Sequence, residues 1–453
     1  MLSNTATPDN SAPIRSEAYL TLERGCTLVA FLLPLKLSLT YIALVPLLLF
    51  WLYSARAQLS VLRIPPAARP IATSFGIFLF VCLLSGVVGV SATHSLPSLA
   101  SLFFFALTIP LFANHARPKM VCLALIAGQS VAAFHSFIEA SLPFALPKFF
   151  LGKVTESGQL AIVIPLALGV LISSIQNAAK SGAGLNSIPH QRLALTTLVI
   201  TTALTCVGFQ SELPTPSSLL MALTAAAAFC LFIVGRWAKR ASPEIRLQLA
   251  LTTISLPLLI CALLVNLKRG PWLGVLVGAS CLMYVYARRW LLPLVFGSAF
   301  IALGISPIRE RLLASYDHFT IEGGRSTIWR IGAELLSEYP LGIGYHNSGI
   351  LREFALEIPP ELKHFHNNLL NIAAETGWLG LIVFIWFLCL IVKSSFRDCL
   401  APLYVAIGAA IVSWQVAGLV EYNFGDSEVT IVIWVLMGVL LQREARVGSG
   451  SHM

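Results

Sequence analysis

Apolar runs of about 20 residues recur along almost the whole chain, the length that carries a helix across roughly 30 Å of hydrocarbon. Inside a bilayer every backbone N–H and C=O must be satisfied within a helix or a closed barrel. These runs are too long and too uniformly apolar for the alternating strands of about 10 residues in a membrane barrel. They begin near Cys26, Thr40, Ile71, Leu96, Val121, Gln159, Ala194, Ser218, Leu247, Trp272, Leu291, Trp378, Pro402 and Val429. The first two share one run broken by Pro34, Lys36 and Pro46, which makes either a hairpin of short helices or one irregular element. The expectation is an all-α, polytopic transmembrane helical bundle of roughly 12 to 14 spans.

Charge orients such a bundle. Only 11% of the residues are charged, against roughly 25% in an ordinary soluble protein. Lysines and arginines concentrate in alternate loops: Arg56, Arg63 and Arg69; Arg117 and Lys119; Lys180 and Arg192; Arg236, Lys239, Arg240 and Arg246; Arg288 and Arg289; Lys393 and Arg397; Arg443 and Arg446. By the positive-inside rule that side is cytoplasmic, with both termini on it. The net charge of +9 is then topology plus attraction to anionic membrane lipids, and no nucleic-acid partner is expected. The polar first 24 residues lack the plan of a cleaved secretory signal, so the first span is expected to serve as the targeting signal. GSGSHM (448–453) reads as an expression remnant.

The chain accordingly divides into an N-terminal bundle (1–306), a large outer loop (307–376), C-terminal transmembrane helices (377–446) and the remnant (447–453). The loop holds nine of the 21 acidic residues. Gly323–Gly324, Ser326 before TIWRIGAELLSEY and Pro340 after it punctuate it as helix, so a small helical cap is expected. None of the nine cysteines forms a C-x-x-C pair, and the outer loop contains none, which argues against a disulfide framework.

Four places carry residues that a plain membrane bundle does not need. In NLKRGPWLG (266–274), Lys268 and Arg269 stand at a tight turn between two spans; they either snorkel to the interface or present cations, the Arg269 fork matching phosphate oxygens. In GGRSTIW (323–329), Arg325 precedes a helix start, either as a surface arginine or as one half of an anion site completed by helix N-terminal amides. GIGYHNSG (342–349) makes a glycine turn around Tyr345, an ordinary loop or a close approach to ligand. In HFHNNLLNIAAETGWLG (364–380), Asn367 caps a helix, with His366 just before its first turn and His364 two residues earlier. A helix N-terminus disfavours a cation, so a neutral His366 able to accept a proton competes with a plain interfacial histidine bonded to loop carbonyls. His364 leans to the plain role, and Glu375 to a structural one, with orientation of a basic partner as its alternative.

The aspartates are only Asp9, Asp317, Asp398 and Asp426, so no D-x-D pair is available to hold a divalent metal against a diphosphate. No metal and no cofactor is expected. Neither H-E-x-x-H, G-x-S-x-G nor a Walker loop occurs.

The order of an Arg-Gly turn between spans, then GR-x-x-x-W and PLGIGY in a long outer loop, then HN-x-x-L-x-x-x-x-E-T-G-x-x-G leading into a span resembles the lipopolysaccharide O-antigen ligase and polymerase superfamily. The motifs occupy 266–380. The resemblance implies a GT-C-like bundle with a periplasmic helical cap in the bacterial inner membrane. It further implies a metal-independent, inverting glycosyltransferase that moves O-antigen from an undecaprenyl-diphosphate-linked donor onto the lipid A core acceptor. Carried over by position, its essential arginines fall on Arg269 and Arg325 and its histidine on His366, with Lys268, Tyr345, His364, Asn367 and Glu375 as neighbouring substrate-binding positions. Lys268 departs from the small residue usual before the arginine. An O-antigen polymerase, a sugar O-oligosaccharyltransferase acting on protein and a lipid-linked sugar flippase or transporter are the competing readings. The last would need ionisable groups deep in the membrane, of which Lys36, His135 and Glu139 are the only hints.

Overall fold

The computed structural model describes residues 11–56, 68–141, 150, 152–180, 228, 241–321, 324–353 and 363–450. Among them there is no strand. The helices are α1 (Ser11–Leu32), α2 (Leu37–Ala55), α3 (Arg69–Val88), α4 (Ala92–Ala106), α5 (Thr108–His115), α6 (Pro118–Ser141), α7 (Lys153–Lys180), α8 (Pro243–Val265), α9 (Arg269–Tyr286), α10 (Leu291–Gly304), α11 (Ser306–Thr320), α12 (Arg325–Glu338), α13 (Asn368–Phe396), α14 (Pro402–Ala417) and α15 (Ser427–Gly450). Seven stretches are long and apolar enough to cross a membrane: α2, α3, α4 with α5, α6, α7, α8 and α13. The segment through α10 and α11, bent by 86°, makes an eighth if it counts as one broken span. The protein is thus a polytopic all-α membrane bundle. The runs that begin at Ala194 and Ser218 lie outside the described residues.

Local chemistry sets the helix limits. Ser91 and Ser242 cap α4 and α8 by accepting the amides of His94 and Ile245, and Pro243 stands at the first position of α8, where its missing N–H costs nothing. The run shared by the first two candidates resolves into a hairpin: α1 and α2 pack on each other across a turn at 33–36. Pro46, Pro165 and Pro257 sit inside α2, α7 and α8, as membrane helices tolerate when neighbours take up the freed carbonyls.

The core centres on α7, buried from Glu156 through Ile172 almost without break and enclosed by α6, α8, α9 and α14. Lipid tails are as apolar as leucine, so helices here associate through close backbone packing. Gly270, Gly274 and Gly278, spaced by four, lay one side of α9 against α14. A Cβ at Gly274 would stand 2.4 Å from the Ser413 carbonyl, and one at Gly278 would stand 2.9 Å from that of Ala409. The outward sides of α2 and α3 instead expose Ile42, Leu49, Phe80 and Val88.

The two ends of the bundle differ. At one, Arg443 of α15 reaches Asp398 (3.1 Å) in the turn before α14, Gln442 donates to the Ala116 carbonyl (2.7 Å), and Arg117 pairs with Glu23 (2.7 Å). These belong to the loops that the charge count assigns to one side. At the other end lie the α8–α9 turn, α11, α12, the segment 363–367 and the α14–α15 loop.

Candidate active site

The site is built on α13. Asn367 caps that helix: its side chain accepts the Leu370 amide at 3.1 Å while its backbone stays extended. Two residues earlier, Phe365 is fully buried under α12, against Ile328, Ile331 and Leu335, and its carbonyl accepts from Trp329 Nε1 at 3.0 Å. That anchor leaves the residues on either side, His364 and His366, lining a cavity of about 520 Å³. His366 holds φ at +51°, the left-handed region that a non-glycine residue rarely adopts without compensation from its surroundings.

The same cavity gathers cations from three other segments. Lys268 and Arg269 come from the α8–α9 turn, whose Leu267 is also left-handed (φ +51°). Arg325 comes from the first position of α12, and Arg311 from α11, where its Nε donates to the Leu267 carbonyl at 3.3 Å. Arg269 feels the charges of Arg311 and Arg325 as well as that of Glu421. Four cations face only Glu421 and Asp426, and Asp426 already accepts from Thr155 (2.7 Å). Like charges crowded this way create a field suited to a multiply charged anion. Val154, Leu267, Ile321, Ile328 and Val429 supply apolar wall, and 520 Å³ falls within the usual range for small-molecule sites, about 300–1,000 Å³.

Glu421 joins the two kinds of residue. One oxygen receives Arg325 Nη2 at 3.2 Å, and the other lies 3.4 Å from His366 Nδ1. Burial alone would raise its carboxyl, but the hydrogen bond to His366 and the charges of Arg325 and Lys268 outweigh it and hold the group below its ordinary value. Glu421 is therefore ionised at neutral pH. Burial, reinforced by His366, pushes the His364 imidazole down to about 4, so His364 is neutral there and its Nδ1 accepts the His366 amide at 3.3 Å. An ionised carboxylate can only accept, so His366 Nδ1 is the donor of this contact and Nε2 is the ring nitrogen left outside it.

Of the positions singled out in the sequence, Lys268, Arg269, Arg325, His364 and His366 meet in this cavity. Tyr345, Asn367 and Glu375 do not line it. PLGIGY packs on the backbone of α13. α13 breaks at Gly377 (φ +72°), and the amides of Ile343 and Gly344 take up the carbonyls of Ala374 and Glu375 there, at 2.9 and 3.0 Å. Gly342, at φ +87°, passes so close that a Cβ would stand 2.4 Å from the Glu375 carbonyl. Tyr345 is buried with this segment, and the buried Glu375 carboxylate accepts from Ser348 and Asn371. Asn367 is occupied at both ends, as cap and as donor to the Leu419 carbonyl (3.0 Å).

Arg311 and Glu421 also line the cavity and carry no local sequence motif. The available signal for Glu421 was EYNFGDSE (421–428), a polar stretch between the runs at Pro402 and Val429. Charge alternation puts that stretch on the same side as Arg269. Among the described residues no group of three His, Cys, Asp or Glu has metal-ligand geometry.

Residues 254–385 match the family model described as O-antigen ligase. The match runs from within α8 through α9, Arg311, Arg325 and His366 into α13 and ends before Glu421. No curated protein matches the chain.

Proposed function

We propose that this chain, a member of the O-antigen ligase and polymerase superfamily, is a metal-independent inverting glycosyltransferase of the bacterial inner membrane with a periplasmic active site. It takes O-antigen from undecaprenyl diphosphate and joins it to a sugar of the lipid A core. The observation that carries the reading is a single cavity in which Arg269, Arg325 and His366 meet, although they arise from three separate segments.

Breaking a sugar–diphosphate bond develops negative charge on the leaving diphosphate, and preorganised cations away from bulk water stabilise that charge most. Arg269 and Arg325 have this task, with Lys268 beside them. The arginines present planar forks to the phosphate oxygens. His366 Nε2 takes the proton of the acceptor hydroxyl, a contribution typically of order 10²–10⁴-fold. Attack from the face opposite the leaving group inverts the anomeric centre. The donor carries the needed free energy, which fits the lack of a nucleotide-binding motif in the sequence.

The test is direct. Purified protein is mixed with lipid-linked O-antigen and lipid A core, and the products are separated by size. A joined polysaccharide–core product supports the ligase. Longer lipid-linked chains formed from donor alone would make the enzyme a polymerase, and movement of donor across vesicles without any new bond would make it a transporter.

A further inference from the structure

We infer that Glu421 is a positioning residue for the transfer reaction, one carboxylate that fixes both the base imidazole of His366 and the diphosphate-binding guanidinium of Arg325. The inference rests on the proposed transfer and goes beyond it in assigning a residue outside the matched segment.

Three observations carry it. Both carboxylate oxygens are used, and on different partners: Oε1 on Arg325 Nη2 at 3.2 Å and Oε2 against His366 Nδ1 at 3.4 Å. Glu421 is also held from both sides. Before it, the Gly418 carbonyl accepts the Asn368 amide (2.6 Å) and the Leu419 carbonyl accepts Asn367 Nδ2 (3.0 Å). After it, Asn368 Nδ2 donates to Asn423 Oδ1 (2.7 Å), and the Phe424 amide donates to Asn368 Oδ1 (3.0 Å). The asparagines that start α13 beside His366 therefore pin the loop that carries its partner. Finally, the remaining charged groups facing Glu421 are Lys268 and Arg269 from the α8–α9 turn, so its negative charge is the cavity's answer to a cationic wall.

The chemistry follows from the geometry. Glu421 accepts from Nδ1–H and so keeps the Nε2 lone pair toward the acceptor. The acceptor oxygen forms a bond to the anomeric carbon and its proton passes to Nε2. The bond from that carbon to the phosphate oxygen breaks, with the electron pair leaving on the diphosphate. The imidazolium so formed faces a carboxylate that stays ionised throughout. Arg325 spends one N–H of its five on Glu421, which leaves the rest of its fork for the diphosphate.

Replacing the carboxylate by an amide separates binding from turnover. Glu421→Gln removes a counter-ion from Arg325, so undecaprenyl diphosphate should bind as tightly as to the parent or more tightly. Single-turnover transfer should fall by up to about 10⁴-fold, the loss that follows when the carboxylate partner of a base histidine becomes an amide. Glu421→Asp, which keeps the charge on a shorter arm, should recover part of the loss. A variant that loses diphosphate affinity tenfold, or that turns over normally, overturns the inference, as does an aspartate variant no better than the glutamine one. If the parent binds lipid diphosphate but joins nothing, the transfer reading itself fails; the pairing is then judged on binding alone, where Glu421→Gln must not weaken it.

Discussion

Asn368 is fully buried, and its side chain connects the start of α13 to the loop that carries Glu421. Asn368→Ala strands two buried groups, the Phe424 amide and Asn423 Oδ1. Each stranded group costs about 1–3 kcal/mol, so a loss of roughly 2–6 kcal/mol in local stability is expected. Gly418→Ala strikes the same point from the other side, because a Cβ at 418 would stand 2.0 Å from Asn368 Nδ2 and 2.6 Å from its Cγ. Overpacking of that kind typically costs about 1–3 kcal/mol. The double variant decides the matter. With alanine at 368 the two atoms nearest the new methyl are gone and only Asn423 Oδ1, at 3.0 Å, still crowds it, so the two changes should fall short of additive by about 1 kcal/mol or more. The assay is thermal unfolding in a fixed detergent for the parent, both single variants and the double, alongside donor binding and single-turnover transfer. Both single variants should lose turnover more than binding, since Glu421 loosens while Arg269 remains. Strict additivity of the two changes would refute the shared contact, and unchanged turnover in Asn368→Ala would refute the claim that this junction holds the site together.

Further outcomes are expected. Arg269→Ala and Arg325→Ala should each lower transfer by at least about 10²-fold while membrane insertion is kept, and lysine at either position should restore little, because it lacks the bidentate fork; near-parental rates for both lysine variants would rule out a guanidinium clamp. The His364 imidazole, at about 4 when folded against an ordinary 6.5, binds fewer protons folded than unfolded. It contributes stability that is complete above 6.5 and is lost as pH falls toward 4. Unfolding midpoints of the parent should drop across that window, and those of His364→Gln should drop less. His364→Ala should retain much of its transfer from pH 5.5 to 8.5, whereas His366→Ala should bind lipid diphosphate and make no product; the opposite ranking would exchange their roles. Transfer should also persist in EDTA, and a loss reversed by magnesium or manganese would overturn the metal-free mechanism.

How far the sequence could be read follows from where each signal is written. Arg269, Arg325 and His366 stand beside local punctuation: a turn between two spans, a helix start and an asparagine cap. Such signals lie within a few residues of what they predict. Glu421 has its partners 55 and 96 positions away, and no local pattern marks a carboxylate as the mate of a distant imidazole. Its polar stretch could be placed on the right side by charge counting but not against His366. The glycines of α9 were visible at their spacing of four, yet the helix they meet was not, so nothing in RGPWLG foretold that Gly270 would bring Arg269 alongside Ala417 and Glu421.

The polar residues at the mouth of α13 show how a bilayer shapes such a site. A membrane helix that ends in a cavity must satisfy its first amides and still leave charged groups free for substrate. HFHNN divides these tasks by position. Phe365 is buried, which turns the residues on both sides toward the cavity; Asn367 caps the helix, and Asn368 pins the opposing loop. Tyr345 and Glu375 look functional in the sequence because polar residues are scarce near a span. Glu375 accepts from Ser348 and Asn371 inside the protein and Tyr345 is buried, around the break at Gly377, where broken helical backbone needs hydrogen bonds that lipid does not supply. At the edge of a membrane helix, a polar residue therefore marks substrate chemistry only when the backbone beside it is already satisfied by something else. His366, the base in the proposed transfer, meets that condition because Asn367 does the capping.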